Sequence, residues 1–302
     1  MNSMPDRELE IERLRSELEE CKRELERYRA WVPPGHVLSP IPSREQVKLR
    51  ERQIYAVPHE LPGLDLNEEG QLRLFDELRE FYEDQPFSAR KTAGRRYWFD
   101  NPAYSYSDAI LLYCMMRFLR PHRVIEVGAG YSSCAILDTN ELFFENSIDC
   151  TFIEPAPQLL RSLLTKQDLE RIALVEKPLQ EVDSEIFAAL QANDILFIDS
   201  SHVAKIDSDV NHIFFRILPL LNSGVYIHFH DIFYPFEYPL DWIYEGRAWN
   251  ETYLLRAFLQ YYRQFEIQLF NTFIDWFHKE KYFREMPLVQ KNTGGSIWLK
   301  KL

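Results

Sequence analysis

Residues 123–133 read RVIEVGAGYSS. A short apolar run closed by two glycines has the form of a buried strand that turns sharply into a helix. Glycine permits that turn and a close backbone approach, and the helix start behind it offers free N–H groups to a ligand. The same alternation continues downstream. DCTFIE (149–154), RIALVE (171–176), DILFID (194–199) and GVYIHFHD (224–231) each precede a helical or loop-and-helix stretch. Five apolar strands with crossover helices predict a parallel sheet covered on both faces. FEIQLFN (265–271) and GSIWLKK (295–301) add two more strands, and one of these is expected to run antiparallel. The segment between them, 272–294, carries no regular helical pattern.

Upstream of the sheet the pattern is helical. Residues 6–30 contain neither Gly nor Pro and are dense in Glu, Arg and Leu. Ile11, Leu14, Leu18, Cys21, Leu25 and Tyr28 alternate spacings of three and four, which places them at the a and d positions of a short coiled coil. This predicts a homo-oligomer; a single amphipathic helix lying on its own domain is the other reading. Prolines in WVPPGHVLSPIPS (31–43) stop that helix. Residues 44–104 read as a connector and helical cap. The expected division is 1–30, 31–104 and 105–302.

The whole chain has 302 residues, 46% of them hydrophobic, and a formal net charge of −12. Such an acidic balance argues against a broad nucleic-acid-binding surface. The four cysteines show no paired spacing and read as reduced thiols of a cytoplasmic protein. No apolar run reaches the roughly 18 residues that a membrane span needs, and the N-terminus has no secretory pattern.

The first strand carries Glu126 ahead of Gly128 and Gly130, with Ser132 and Ser133 just beyond, and the second strand ends at Glu154. An acid at that position can accept hydrogen bonds from both ribose hydroxyls of a nucleoside ligand. A carboxylate two residues before the glycine turn would repel a pyrophosphate and suits a ligand with an ammonium and a sulfonium. These residues resemble the first motif of class I S-adenosylmethionine (SAM)-dependent methyltransferases, and Glu154 matches that family's ribose-binding acid. The resemblance implies a Rossmann-like, mostly parallel seven-stranded sheet. After the third strand, VEKPLQEV replaces the family's usual Gly-Asp pair, leaving Gln180 or Glu181 to serve the adenine.

The fourth strand ends in a DxxH turn, Asp199 and His202, and the fifth ends in His230–Asp231. Adjacent parallel strands finish on one edge, so these four residues are expected to converge. Two carboxylates and an imidazole make a candidate divalent-cation site, Asp199, His230 and Asp231, with Mg2+ or Mn2+ as the ions considered. His202 is then free for proton transfer near neutral pH. The pattern resembles metal-dependent sugar O-methyltransferases of the macrocin type and, more closely, the bacterial group of type-24 methyltransferase domains. In the sugar enzymes an acidic pair completes the metal site; here His230 replaces one acid. The resemblance implies that a hydroxyl of a sugar or surface-polysaccharide acceptor is methylated.

Seven aromatic residues follow in 233–249. Tyr234, Trp249 and Arg247 are the candidates for contacting the acceptor, with Arg95 or Arg96 as further anion-binding positions. His228, one alternation behind His230, is expected to be a structural histidine of the core. Two rival functions share this fold pattern: a nicotinamide-dependent oxidoreductase, and a non-catalytic oligomeric scaffold.

Overall fold

The computed structural model describes residues 4–27 and 31–302. The chain divides into two compact units, residues 1–51 and 52–302. In the first unit α1 (Met4–Arg27) is one uninterrupted helix. Charged side chains pair along it at helical spacing, Glu10 with Arg13 and Glu19 with Lys22. Ile11, Leu14, Leu18 and Leu25 are exposed on this helix. Tyr28, the last position of the expected seam, lies outside the described residues. Helix α2 (Arg44–Ile54) carries the chain across the division.

In the second unit α3 (Glu68–Leu78) and α4 (Tyr106–Leu119) precede the sheet. The alternation then runs β1 (Arg123–Val127), α5 (Tyr131–Phe144), β2 (Asp149–Ile153), α6 (Gln158–Leu163), α7 (Lys166–Arg171) and β3 (Ala173–Val175). It continues with α8 (Glu185–Ala188), β4 (Ile195–Ile198), α9 (Asp209–His212), β5 (Tyr226–His230), α10 (Leu240–Glu245) and α11 (Glu251–Tyr261). Strand β6 (Phe265–Phe270), helices α12 (Asn271–Phe277) and α13 (Lys279–Glu285), and strand β7 (Ser296–Lys301) complete the chain. The sheet order is β3-β2-β1-β4-β5-β7-β6. Helices cover both faces, as expected, and β7 is the antiparallel strand, pairing with β5 and β6.

Two local expectations fail for physical reasons. The stretch 205–221 reads as one helix, yet only Asp209–His212 is α-helical. Residues 213–217 widen into a π-turn and 218–220 tighten into a 3-10 turn. Pro219 has no N–H to continue the ladder. Conversely, the irregular 272–294 holds α12, α13 and a 3-10 turn at 287–291. Aromatic packing on the core shapes these short helices, and His278 interrupts them with a non-helical backbone, φ −130° and ψ 27°.

The centre of the sheet is fully apolar. All four residues of β4 are buried, and Phe197 and Ile198 each contribute about 2 kcal/mol by burial. One polar tie crosses this unit beneath the surface. Arg96 is mostly buried and binds Asp138 at 2.8 Å, Glu141 at 2.7 Å and Asp168 at 2.5 Å. Arg96 therefore holds the loop before α4 against α5 and α7, and it is not free to bind an acceptor anion as its loop position suggested. Replacing it with alanine would strand two buried carboxylates. Arg96→Ala is expected to cost roughly 3–5 kcal/mol in chemical denaturation, whereas Arg95→Ala, which breaks a bond to the neighbouring Gly94 carbonyl, should leave stability within about 0.5 kcal/mol.

Candidate active site

The strand order reverses direction between β1 and β4, and in open α/β sheets ligands bind outside the carboxyl ends at such a point. Here the two strand ends are tightly coupled. The Asp199 amide donates to the Val127 carbonyl at 2.9 Å, and Gly128 follows with φ +84°. A Cβ at Gly128 would lie 1.7 Å from the Asp199 carbonyl oxygen, so only glycine fits. A cavity of about 430 Å³ opens beside this crossing. Gly128, Glu154, Gln180 and Asp199 line it, together with Ser201 and Asp209. Its size is that of a nucleoside-cofactor site.

Glu126 and Ser132 lie one layer deeper than expected. Glu126 is fully buried, and both its oxygens accept from hydroxyls, one from Ser132 and the other from Ser133. Ser133 in turn accepts from the Gly130 amide at 3.0 Å. The carboxyl thus shapes the glycine turn by tying the first turn of α5 to β1. Burial pushes its pKa up to about 8, with the two serine hydroxyls opposing the rise. Glu154 accepts from the Ala156 amide at 2.8 Å at the cavity wall. Gln180 donates to the Asp207 carbonyl, which positions the strand-to-helix segment of the wall opposite Glu154.

The register of β4 and β5 assembles the second half of the site. Ile198 pairs with Phe229, so the next residues, Asp199 and His230, stand side by side. His230 Nδ1 is 3.5 Å from Asp199 Oδ1 and 3.6 Å from Asp231 Oδ1. One ligand atom each from Asp199, His230 and Asp231 lies within 4.8 Å of the others. His202 closes the group: its Nε2 is 3.3 Å from Asp199 Oδ1 and 3.6 Å from Asp231 Oδ2. The four residues expected to converge do so. His202 and Asp231 both hold left-handed backbone, φ +59° and +57°, an unfavourable state for non-glycine residues that the surrounding contacts must maintain.

Two acids that the sequence did not single out belong to this cluster. Asp108, in the first turn of α4, is buried with Oδ2 3.6 Å from His230 Nε2. Its Oδ1 accepts from Ser296 at 2.7 Å and Asn271 at 2.9 Å. Glu251, the first residue of α11, is buried with Oε2 2.8 Å from His202 Nδ1. In the sequence both read as ordinary acids at helix starts, so nothing marked them.

The charges explain the titration. Burial opposes ionisation of both imidazoles, yet Asp199 and Glu251 hold His202 up to about 10. Asp231, Asp199 and Asp108 hold His230 well above its ordinary value. Burial alone would raise Asp199, but the two imidazoles pull it well below the usual carboxylate range. His228 is the opposite case. It is buried against Phe197, ring centroids 4.1 Å apart, and burial keeps it neutral, the structural role expected of it.

The aromatic segment divides between core and site. Tyr234 is buried, packs on Phe270 and Phe273, and donates its hydroxyl to the Pro58 carbonyl at 2.6 Å. It is a core residue and does not face the acceptor side. Trp249 lies over His202, ring centroids 4.3 Å apart, and Arg247 caps Trp242 and Trp249 at 4.3 and 5.1 Å.

Residues 125–232, from β1 to the end of the proposed metal cluster, match the family of methyltransferase domains. The chain belongs to the class I SAM-dependent methyltransferases. It is an enzyme of that type, with SAM as cofactor. An uncharacterised protein of Archaeoglobus fulgidus is 33% identical over 169 residues, which is 54% of this chain and 75% of that one. Among solved structures, a Podospora anserina methyltransferase with bound S-adenosylhomocysteine (SAH) aligns at TM-score 0.44 and 13% identity, covering 91% of this chain and 99% of its own. An O-methyltransferase of tomaymycin synthesis from Streptomyces achromogenes, in complex with SAM, aligns at TM-score 0.41 and 14% identity over 85% and 96% of the chains. Among the described residues no helix is long and apolar enough to cross a membrane.

Two outcomes test this methyltransferase site. Gly128→Ala is expected to abolish SAH binding by calorimetry, because the new methyl must displace the Asp199 backbone. Glu126 has a folded-state pKa above its unfolded one, so its protonated form is the stable one in the fold. Its contribution is complete below about pH 4.5 and is lost as pH rises toward 8. Glu126→Gln should match the native protein at pH 5 and become more stable than it, by a few kcal/mol, near pH 8. Thermal unfolding across that range reads the difference.

Proposed function

We propose that this methyltransferase transfers its methyl group to a hydroxyl of a sugar or surface-polysaccharide acceptor, with a divalent cation and His202 as general base. The observation that carries the reading is the convergence of Asp199, His230, Asp231 and His202 at the strand edge beside the cofactor cavity. The donor set fits a cation. His230 Nδ1 is buried without a hydrogen-bond partner, and two carboxylate oxygens converge with it. Four acids, Asp108, Asp199, Asp231 and Glu251, face two imidazoles, leaving a negative excess suited to a divalent charge.

An aliphatic hydroxyl is a poor nucleophile, and a cation held by these three residues would acidify it. His202 supplies the other requirement. Its Nε2 points at the carboxylates from the side where a hydroxyl would be bound, and it can take the proton as the oxygen attacks. The carboxylates hold this imidazole protonated; neutralising them with a cation returns it toward a range useful for proton transfer. Trp249 packs on the ring and restricts water around it. The half-buried rings of Trp242 and Trp249 suit the edge of a sugar ring, and Arg247 beside them suits an acidic substituent. Assembly through α1 completes the reading. The exposed seam of Ile11, Leu14, Leu18 and Leu25 is suited to a second copy of the same helix.

Calorimetry with SAH, Mn2+ and Mg2+ on chelator-treated protein tests the site. SAH and Mn2+ are both expected to bind, Mn2+ more tightly than Mg2+ because an imidazole is among the ligands. Asp231→Asn should weaken Mn2+ at least about tenfold, a loss of some 1.4 kcal/mol, while SAH binding persists. A protein that binds SAH but no divalent ion overturns the metal-assisted mechanism. Sedimentation tests the seam: the native chain should be oligomeric and Leu14→Glu with Leu18→Glu monomeric, and a monomeric native chain refutes it.

A further inference from the structure

The loop that bears His202 has an unusual anchorage. The amides of Asn250 and Glu251 both donate to the His202 carbonyl, at 3.0 and 3.1 Å. The Asn250 side chain brackets Ala204, accepting from its amide at 2.6 Å and donating to its carbonyl at 3.3 Å. Ser200 donates to Glu251 Oε1 at 3.2 Å, and His202 Nδ1 meets Glu251 Oε2 at 2.8 Å. Every one of these contacts joins residues 200–204 to Asn250, the cap of α11, or to Glu251, its first residue. They hold His202 in its left-handed conformation, which a free loop would relax.

We infer that Glu251 is a positioning residue for His202: its buried carboxylate fixes the ring with Nδ1–H bound and Nε2 turned to the Asp199–Asp231 edge. The inference deepens the proposed function and rests on His202 being the base there. The geometry leaves little freedom. Trp249 packs against one side of the ring, with its plane inclined by 35°, and Glu251 is fully buried, so water does not compete with it as the acceptor. Its place in the first turn of α11 suits a negative charge. Of the two ring orientations, the flipped one would offer carbon instead of nitrogen at both the Glu251 and Asp199 contacts. The carboxylate selects the orientation in which Nε2 is the nitrogen left for proton exchange with a substrate.

Two-bond proton–nitrogen spectra of the full chain labelled with 15N-histidine test this, with no acceptor needed. His202 is identified by the signals missing in His202→Ala. In the native protein its Nδ1 is expected to carry a slowly exchanging proton. Glu251→Met, similar in size but without an acceptor, should lose that resonance, and Glu251→Gln, which keeps an oxygen, should restore it. SAH calorimetry on the same samples should show unchanged affinity. A native Nδ1 without a protected proton overturns the inference, whether or not the methionine variant folds. So does a Glu251→Met spectrum identical to the native one. Failure of the native protein to bind SAH would refute the methyltransferase reading instead, and the ring measurement would stand apart from it.

Discussion

The site depends on a single close approach, that of Gly128 to the carbonyl of Asp199. The missing side chain lets the ends of β1 and β4 nearly touch, and the Asp199 amide is locked onto Val127 at the same crossing. Two consequences follow. The glycine turn becomes one wall of the cofactor cavity, and the Asp199 side chain is delivered to the same wall from the other strand. Since β4 and β5 are in parallel register, His230 is then placed beside Asp199 without any further adjustment. Cofactor and proposed metal cluster are therefore neighbours through backbone geometry, before any side-chain contact between them is considered.

Electrostatics imposes the second constraint. Burying several carboxylates around two imidazoles is costly unless the charges balance. The fold manages this by distributing the acids over four elements: Asp108 from α4, Asp199 after β4, Asp231 after β5 and Glu251 from α11. Asp108 and Glu251 are held by hydrogen bonds from Ser296, Asn271 and Ser200, and each faces the far nitrogen of one imidazole. The near nitrogens are left to Asp199 and Asp231, the side exposed to a ligand. This division puts the orienting acids outside and leaves the inner acids to the proposed cation, an arrangement that resembles the usual construction around a metal-binding histidine.

The sheet, its order of elements and the four converging residues were legible in the sequence because each rests on local pattern. Apolar runs ending in GxG, DxxH and His-Asp are visible one strand at a time, and parallel register does the rest. What was not legible depends on long-range packing. Asp108 and Glu251 look like common helix-start acids, and only the packing of α4 and α11 buries them. Tyr234 shares its run of aromatics with Trp249, yet the chain turns it onto Phe270 and Phe273 while Trp249 reaches the site. Arg96 sat in a loop next to Arg95, and nothing local distinguished the one that joins three acids from the one that bonds its neighbouring carbonyl. Glu126 stood out in the sequence, but its bonds to Ser132 and Ser133, which depend on the turn into α5, did not.

His228 shows why the cluster sits where it does along β5. It is one alternation behind His230, with ring centroids 6.1 Å apart, and neither of its nitrogens has a hydrogen-bond partner among the described residues. Phe197 stacks on one face and Trp298 meets it edge-on. A second charge this close to His230 would repel it, and burial against aromatic rings prevents that charge from forming. The same strand therefore carries a neutral imidazole in the core and a charged one at its rim, separated by a single residue. The boundary between them is the boundary between apolar core and charged edge, and His230 stands on the side where Asp199 and Asp231 converge.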